Sequence, residues 1–170
     1  VVSVAAGLAS DSTMSSYPGL PSVTHIPRIV EIAGSANYRL LVAEDNEINQ
    51  KVIKYQLGLM GLTADIASNG EEALRLWSAN RGKYSLLLTD CHMPTMNGYD
   101  LSRTIRKLEH GVSRLPIIAT TADAMSEARH QCLDAGMDDY ICKPLLMEVL
   151  SEKLSRWLPV VQTVGEIQPA

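Results

Sequence analysis

The sequence predicts an α/β fold, a parallel sheet covered by helices on both faces. Three observations carry that reading. Short strand-like stretches recur five times, apolar runs or, at 63–68, an alternation, each closed by polar or turn-forming residues. Between them lie stretches whose apolar residues fall at helical spacing. The two patterns alternate strictly, and strand-helix alternation at this spacing needs crossovers that return each strand parallel to the last.

Composition agrees. Of 170 residues, 46% are hydrophobic and 20% charged, enough for one ordinary domain with a real core plus a tail. Phe is absent, so the core is expected to be aliphatic. A net charge of −4 argues against nonspecific nucleic-acid binding by this segment. Cys91, Cys132 and Cys142 are odd in number and lack CxxC spacing. They read as reduced, small apolar residues of a cytoplasmic protein, not a disulfide framework or a zinc site. The apolar stretches are far short of a membrane span, and no basic residues precede the first one as a signal peptide requires. The chain starts without Met and reads as a piece of something longer, the spans of any membrane parent lying elsewhere.

Residues 1–37 are rich in Ser, Ala, Val, Gly and Pro, and Pro18, Pro21 and Pro27 oppose any helix. They read as a flexible linker, with 23–32 as a weak edge-strand candidate. From Tyr38 the texture changes. Residues 39–43 form a strand that ends in Glu44-Asp45-Asn46. Asn46 suits an N-cap, and 49–60 follow as a helix with Val52, Ile53, Leu57 and Met60 inward, Gly58 and Gly61 marking its end. Residues 63–68 alternate as a strand, Asn69-Gly70 turns the chain, and 71–79 form a helix with Ala73, Leu74 and Trp77 inward.

The third run, 86–88, stops at Thr89-Asp90, and a Pro and an Asn-Gly pair follow within eight residues. A run this short fits a strand buried on both faces, although the run alone does not exclude a buried helix segment. A helix over 99–108 comes next, with Leu101, Ile105 and Leu108 on one face. Residues 115–121 are a fourth strand, with Pro116 near its start where a missing N–H is tolerated. Residues 126–135 form a short polar helix ending at Gly136. Residues 139–142 are a fifth strand running into Lys143-Pro144. The closing helix spans 146–158, apolar at Leu146, Val149, Leu150, Leu154 and Trp157, and Pro159 ends it. Five strands of this kind point to the doubly wound, flavodoxin-like order 2-1-3-4-5.

In such sheets ligands bind at the carboxyl ends of the strands. Glu44 and Asp45 end strand 1, Asp90 strand 3, Thr121 strand 4 and Lys143 strand 5. A lone Asp after a strand usually caps the next element, and a lone Lys-Pro usually turns the chain. All of them at one sheet edge is a different matter. Three close carboxylates repel and need a proton or a cation. Mg²⁺ is the hard cation that prefers a few carboxylates, waters and a phosphate oxygen. Opposite the acids, a lysine and a hydroxyl can hold phosphoryl oxygens. Asp90 could then be a nucleophile that becomes an aspartyl phosphate.

At these residues the chain resembles a known family, the receiver domain of two-component response regulators. It is most like the C-terminal receiver of a hybrid sensor histidine kinase. LLVAEDNEINQKV is similar to the acidic-pair segment, LLLTDCHMPTMNGYDLSRTIR to the phosphoacceptor segment, and PIIATTADA and AGMDDYICKP to the last two strand ends. The resemblance implies a linker over 1–37, a receiver over 38–159 and a tail over 160–170. It implies that Asp90 takes a phosphoryl group from a phosphohistidine. Asp45 and Asp90 would bind Mg²⁺ directly, Glu44 through water, and His92 through its backbone carbonyl. Thr121 and Lys143 would contact the phosphoryl oxygens. Tyr140 would be the aromatic switch, Lys143-Pro144 a cis peptide, and His92 and Asp123 the residues that tune dephosphorylation. Glu44 stands where many receivers have Asp, and Thr120 where they have a bulky aliphatic.

The implied partner is a histidine kinase or a His-containing phosphotransfer domain, with no nucleic acid or membrane contact by this segment. The segment is not a kinase alone, although it would catalyse its own phosphotransfer and dephosphorylation. The expected location is cytoplasmic, as part of an inner-membrane sensor kinase. A response regulator whose effector domain is missing would show the same residues. A phosphatase with an Asp nucleophile fits less well, because it wants a second Asp where His92 stands. A flavin-binding domain would lack its phosphate loop. Cys91 reads as filler, Trp77 and Trp157 as helix-face core or interface residues, and Arg103, Arg106 and Lys107 as a solvated helix face.

Overall fold

The computed structural model describes residues 38–110, 113–123 and 126–158. The linker, its edge-strand candidate over 23–32, Pro159 and the tail lie outside the described residues. Among those described, five strands alternate with five helices: β1 (Arg39–Ala43), α1 (Glu47–Leu59), β2 (Thr63–Ala67), α2 (Gly70–Ala79), β3 (Leu86–Asp90), α3 (Gly98–Leu108), β4 (Ile117–Thr121), α4 (Ser126–Asp134), β5 (Asp139–Cys142) and α5 (Met147–Trp157). The sheet is parallel throughout, in the order β2-β1-β3-β4-β5.

Successive side chains of a strand point to opposite faces, and that period builds two cores. Leu41, Leu87, Ile117 and Ala119 face α2, α3 and α4, where they meet Ala73, Trp77, Leu101, Ile105 and Cys132. Leu40, Val42, Leu86, Leu88 and Ile118 face α1 and α5, where they meet Ile53, Leu57, Leu150 and Leu154. All five residues of β3 and of β4 are buried, because each has a strand on either side and helices above and below. Truncating one such leucine to alanine typically costs about 2–5 kcal/mol. Helix starts follow their caps. Asn46 accepts from the Ile48 and Asn49 amides, Asn69 from Glu72 and Asn97 from Asp100.

Several expectations need correction. With its cap at Asn46, α1 begins at Glu47, not at 49, and Gly58 lies within its last turns; Gly61, at φ +73, is the residue past its end. β4 begins at Ile117; Leu115 and Pro116 lead into it, and the Pro116 carbonyl accepts from Leu87 N–H. Val52, Leu108 and Leu146 are 47, 38 and 55% exposed and not core. Val52 sits on the outer side of α1, while Leu108 and Leu146 fall at helix ends where the packed face runs out. Arg106 is no solvated charge. Its guanidinium donates to Glu109, Asp138 and the carbonyls of Leu115 and Gly136, joining α3 to the entries of β4 and β5.

Candidate functional site

The sheet order places β1 beside β3 and β4 beside β5, so four strand ends converge on one edge. Glu44, Asp45 and Asp90 each offer a carboxylate oxygen there, all within 4.8 Å of one another. Glu44 is buried, Asp90 is 7% exposed and Asp45 faces solvent. From β5, the Lys143 ammonium donates to Asp90 Oδ2 at 2.6 Å and to Glu44 Oε2 at 3.0 Å. Burial works against the Lys143 charge, but the bonds to Asp90 and Glu44 outweigh it and raise its proton affinity above the ordinary lysine value.

Asp90 does not cap the helix after it. Its Oδ1 accepts from the His92 amide at 3.1 Å, whereas Asn97 caps α3. The loop between is pinned by close approaches. Gly98 N–H donates to the Cys91 carbonyl, and Gly70 N–H to the Met96 carbonyl. A β-carbon on Gly98 would lie 2.2 Å from the Asp90 carbonyl oxygen, so the chain passes there only as glycine. Thr121 is buried at the end of β4. Its carbonyl accepts from the Lys143 amide at 2.7 Å, and its hydroxyl accepts from Asp123 N–H at 3.1 Å.

The other expected site residues stand around this cluster. Tyr140 is half-buried on β5, with the Lys153 ammonium 5.8 Å from its ring centre. His92 is exposed and meets the Tyr99 ring edge-on, centroids 6.0 Å apart. Asp123 is exposed beyond Thr121. The Lys143-Pro144 bond is cis. Thr120 is buried on β4, and its hydroxyl has no hydrogen-bond partner.

Two contributors were not foreseen. Asn49 donates to Glu44 Oε1 and Gln50 to the Glu44 carbonyl, so the first turn of α1 reaches back to fix the acidic strand end. The signal was available in a polar pair one turn after a cap, but such pairs usually face water. Beside them, Ile48, Val52, Tyr55 and Leu59 form an exposed apolar stripe along α1. Between Val52 and Lys143-Pro144-Leu145 runs a groove of about 220 Å³, also lined by Asn49 and Ile53.

The cluster fits a hard divalent cation. Three carboxylates face one ammonium, leaving two uncompensated negative charges among oxygen donors with no thiol or imidazole in the set.

A doubly wound five-stranded sheet with this acidic edge and its facing lysine defines a two-component receiver module. The chain belongs to the response regulator receiver domain family, whose model matches residues 40–155. It is 41% identical over 119 residues to the hybrid signal transduction protein dokA of Dictyostelium discoideum, covering 70% of this chain and 7% of that protein. It is 35% identical over 124 residues to the sensor histidine kinase RcsC of Escherichia coli, covering 73% of this chain and 12% of that protein. The chain thus spans a small part of these relatives. Among solved structures, the receiver domain of sensor histidine kinase PA1611 of Pseudomonas aeruginosa carries a magnesium ion in its active-site cleft. It is 42% identical with a TM-score of 0.64, covering 72% of this chain and 98% of that one. The receiver of the Saccharomyces cerevisiae response regulator Ssk1, crystallised with the histidine phosphotransfer protein Ypd1, is 28% identical. Its TM-score is 0.67, covering 71% of this chain and 88% of that one.

Proposed function

We propose that Asp90 accepts a phosphoryl group from a phosphohistidine. The chain then acts as a phosphorelay receiver within a hybrid sensor histidine kinase, as the receiver (38–159) between a linker (1–37) and a tail (160–170). One observation carries this reading above the others. Asp90 is held by Lys143 within an acidic cluster and is not spent on capping a helix.

Glu44, Asp45, Asp90 and the His92 carbonyl would hold Mg²⁺, which when bound neutralises charge on the transferring oxygens. The protein's own residues do the rest. An Asp90 carboxylate oxygen attacks phosphorus as the bond to the histidine nitrogen breaks, and that nitrogen keeps the electron pair. Lys143 and Thr121 hold the phosphoryl oxygens in place, since positioning and charge stabilisation make up most of this catalysis. Thr121 turns its hydroxyl toward the phosphoryl group, and Tyr140 follows inward. Its place on the strand next to Thr121 supports that coupling. His92 and Asp123 flank the site and set how fast water removes the phosphoryl group. A phospho-protein whose decay is unaltered by substituting both side chains would remove them from that role.

The partner is a histidine kinase or His-containing phosphotransfer domain, docked on the exposed α1 stripe beside the acidic edge. The hybrid-kinase setting is supported by the relatives dokA and RcsC, themselves a hybrid protein and a sensor kinase. No helix among the described residues is long and apolar enough to cross a membrane, which accords with a cytoplasmic portion of such a kinase. The test is Mg²⁺-dependent labelling with a small phosphodonor or beryllofluoride, read by NMR or mass. Labelling is expected on Asp90 alone. A wild-type chain that stays unlabelled, or an Asp90→Asn chain that labels equally, overturns the reading.

A further inference from the structure

Cys91 and Cys132 meet under α4. Cys91 is the first residue after β3 and Cys132 lies in α4; both are buried, and their sulfurs are 3.9 Å apart although 41 residues separate them in sequence. Both are free thiols. The receiver chemistry above uses none of these groups.

A disulfide needs its sulfurs about 2 Å apart, so one element must give by roughly the same amount. α4 is the element suited to do so. It buries only Ala128 and Cys132, where α3 buries Gly98, Leu101, Ser102 and Ile105. Its Leu133 is exposed. Elements with few buried contacts open first, and such opening also admits a small oxidant.

We infer that Cys91 and Cys132 are a redox-responsive dithiol, which hydrogen peroxide converts into a disulfide fastening α4 to the carboxyl end of β3. The peroxide O–O bond breaks as one oxygen passes to the first thiol, giving a sulfenic acid and a water. The second thiol attacks that sulfur, the S–S bond forms, and the S–O bond breaks. The thiol proton leaves with the departing hydroxide as a second water. Two thiols lose two hydrogens, and one peroxide becomes two waters. The bridge closes a covalent loop that contains Thr121.

The 170-residue chain, treated with hydrogen peroxide and then alkylated, is examined by intact mass, non-reducing peptide mapping and amide hydrogen exchange. The expected product has lost two hydrogens and yields one peptide joining Cys91 to Cys132. It reverts with dithiothreitol and shows slower exchange across α4 than the reduced chain. Cys142→Ser gives the same product and Cys132→Ala gives none. Three results would overturn the inference: a bridge that contains Cys142, Cys91 and Cys132 still fully alkylated at peroxide doses that oxidise free cysteine, or a bridge that leaves exchange in α4 unchanged. The wild-type chain carries the test, so a poorly folding variant cannot obscure it.

Discussion

Gly98 lies against the Asp90 carbonyl so closely that a β-carbon on it would sit 2.2 Å from that oxygen and 3.0 Å from the Thr89 hydroxyl. The contact fixes the loop that shapes the acidic edge. Gly98→Ala must push backbone against backbone, which costs about 1–3 kcal/mol. Urea denaturation should show a lower midpoint with an unchanged slope. A midpoint equal to wild type would mean that the loop relaxes freely and positions nothing.

Lys143→Met removes the cation between Glu44 and Asp90 and keeps most of the stem's bulk. Losing one positioned charge of this kind costs about 100-fold or more in rate. Labelling of Asp90 by a small phosphodonor should slow by that order while the far-ultraviolet spectrum stays that of wild type. A rate within a factor of two or so of wild type would remove Lys143 from the chemistry.

The Arg39 guanidinium, bonded to Asp65, holds that carboxylate well below its ordinary range against the opposing effect of burial, with Tyr84 and Lys83 adding to it. A carboxylate whose folded value is depressed gives its full stabilisation above the unfolded value. That stabilisation is lost as pH falls toward the folded one. Wild type should therefore lose stability progressively below about pH 4, and Asp65→Asn should flatten that part of the curve. Denaturant midpoints at neutral and acid pH check it; parallel acid limbs would count against the pair.

Arg106 and Arg103 are one turn apart and differ sharply in environment. Arg106 is 13% exposed and bonded to Glu109 and Asp138, which are 9 and 10% exposed; Arg103 is 48% exposed beside Asp100. Arg106→Ala takes the cation from Glu109 and leaves Asp138 with only the exposed Arg114, and should cost about 3 kcal/mol. Arg103→Ala should stay within about 0.5 kcal/mol of wild type. Equal losses in thermal melts would contradict the distinction.

Most strands were legible as short apolar runs stopped by a polar, charged or turn residue, and β2 by its alternation. β1, β3 and β5 accordingly match their expected strand ends, Ala43, Asp90 and Cys142. Convergence of Glu44, Asp45, Asp90 and Lys143 followed from topology alone, since parallel strands put their carboxyl ends on one edge. What was hidden depends on neighbours distant in sequence. Arg106 looks like Arg103 in a charge run, and partners as far on as Gly136 and Asp138, 30 and 32 residues away, make it an anchor. Val52 looks like core by spacing, yet α1 is too narrow a contact to bury Ile53 and Val52 together. Gly98 reads as a turn residue, and the pressure of the Asp90 carbonyl on it appears only in three dimensions.

Both borders of the sheet carry a caged carboxylate: Asp65 on β2, tied to Arg39 and Lys83, and Asp139 on β5, tied to Lys153 and Trp157. Strand borders are templates on which another chain can add itself, and charge placed there blunts them. A strand arriving at either border would have to break these ion pairs or bury them against itself. Charge held at both margins of the receiver's sheet is expected to disfavour the addition of a strand from another segment or copy.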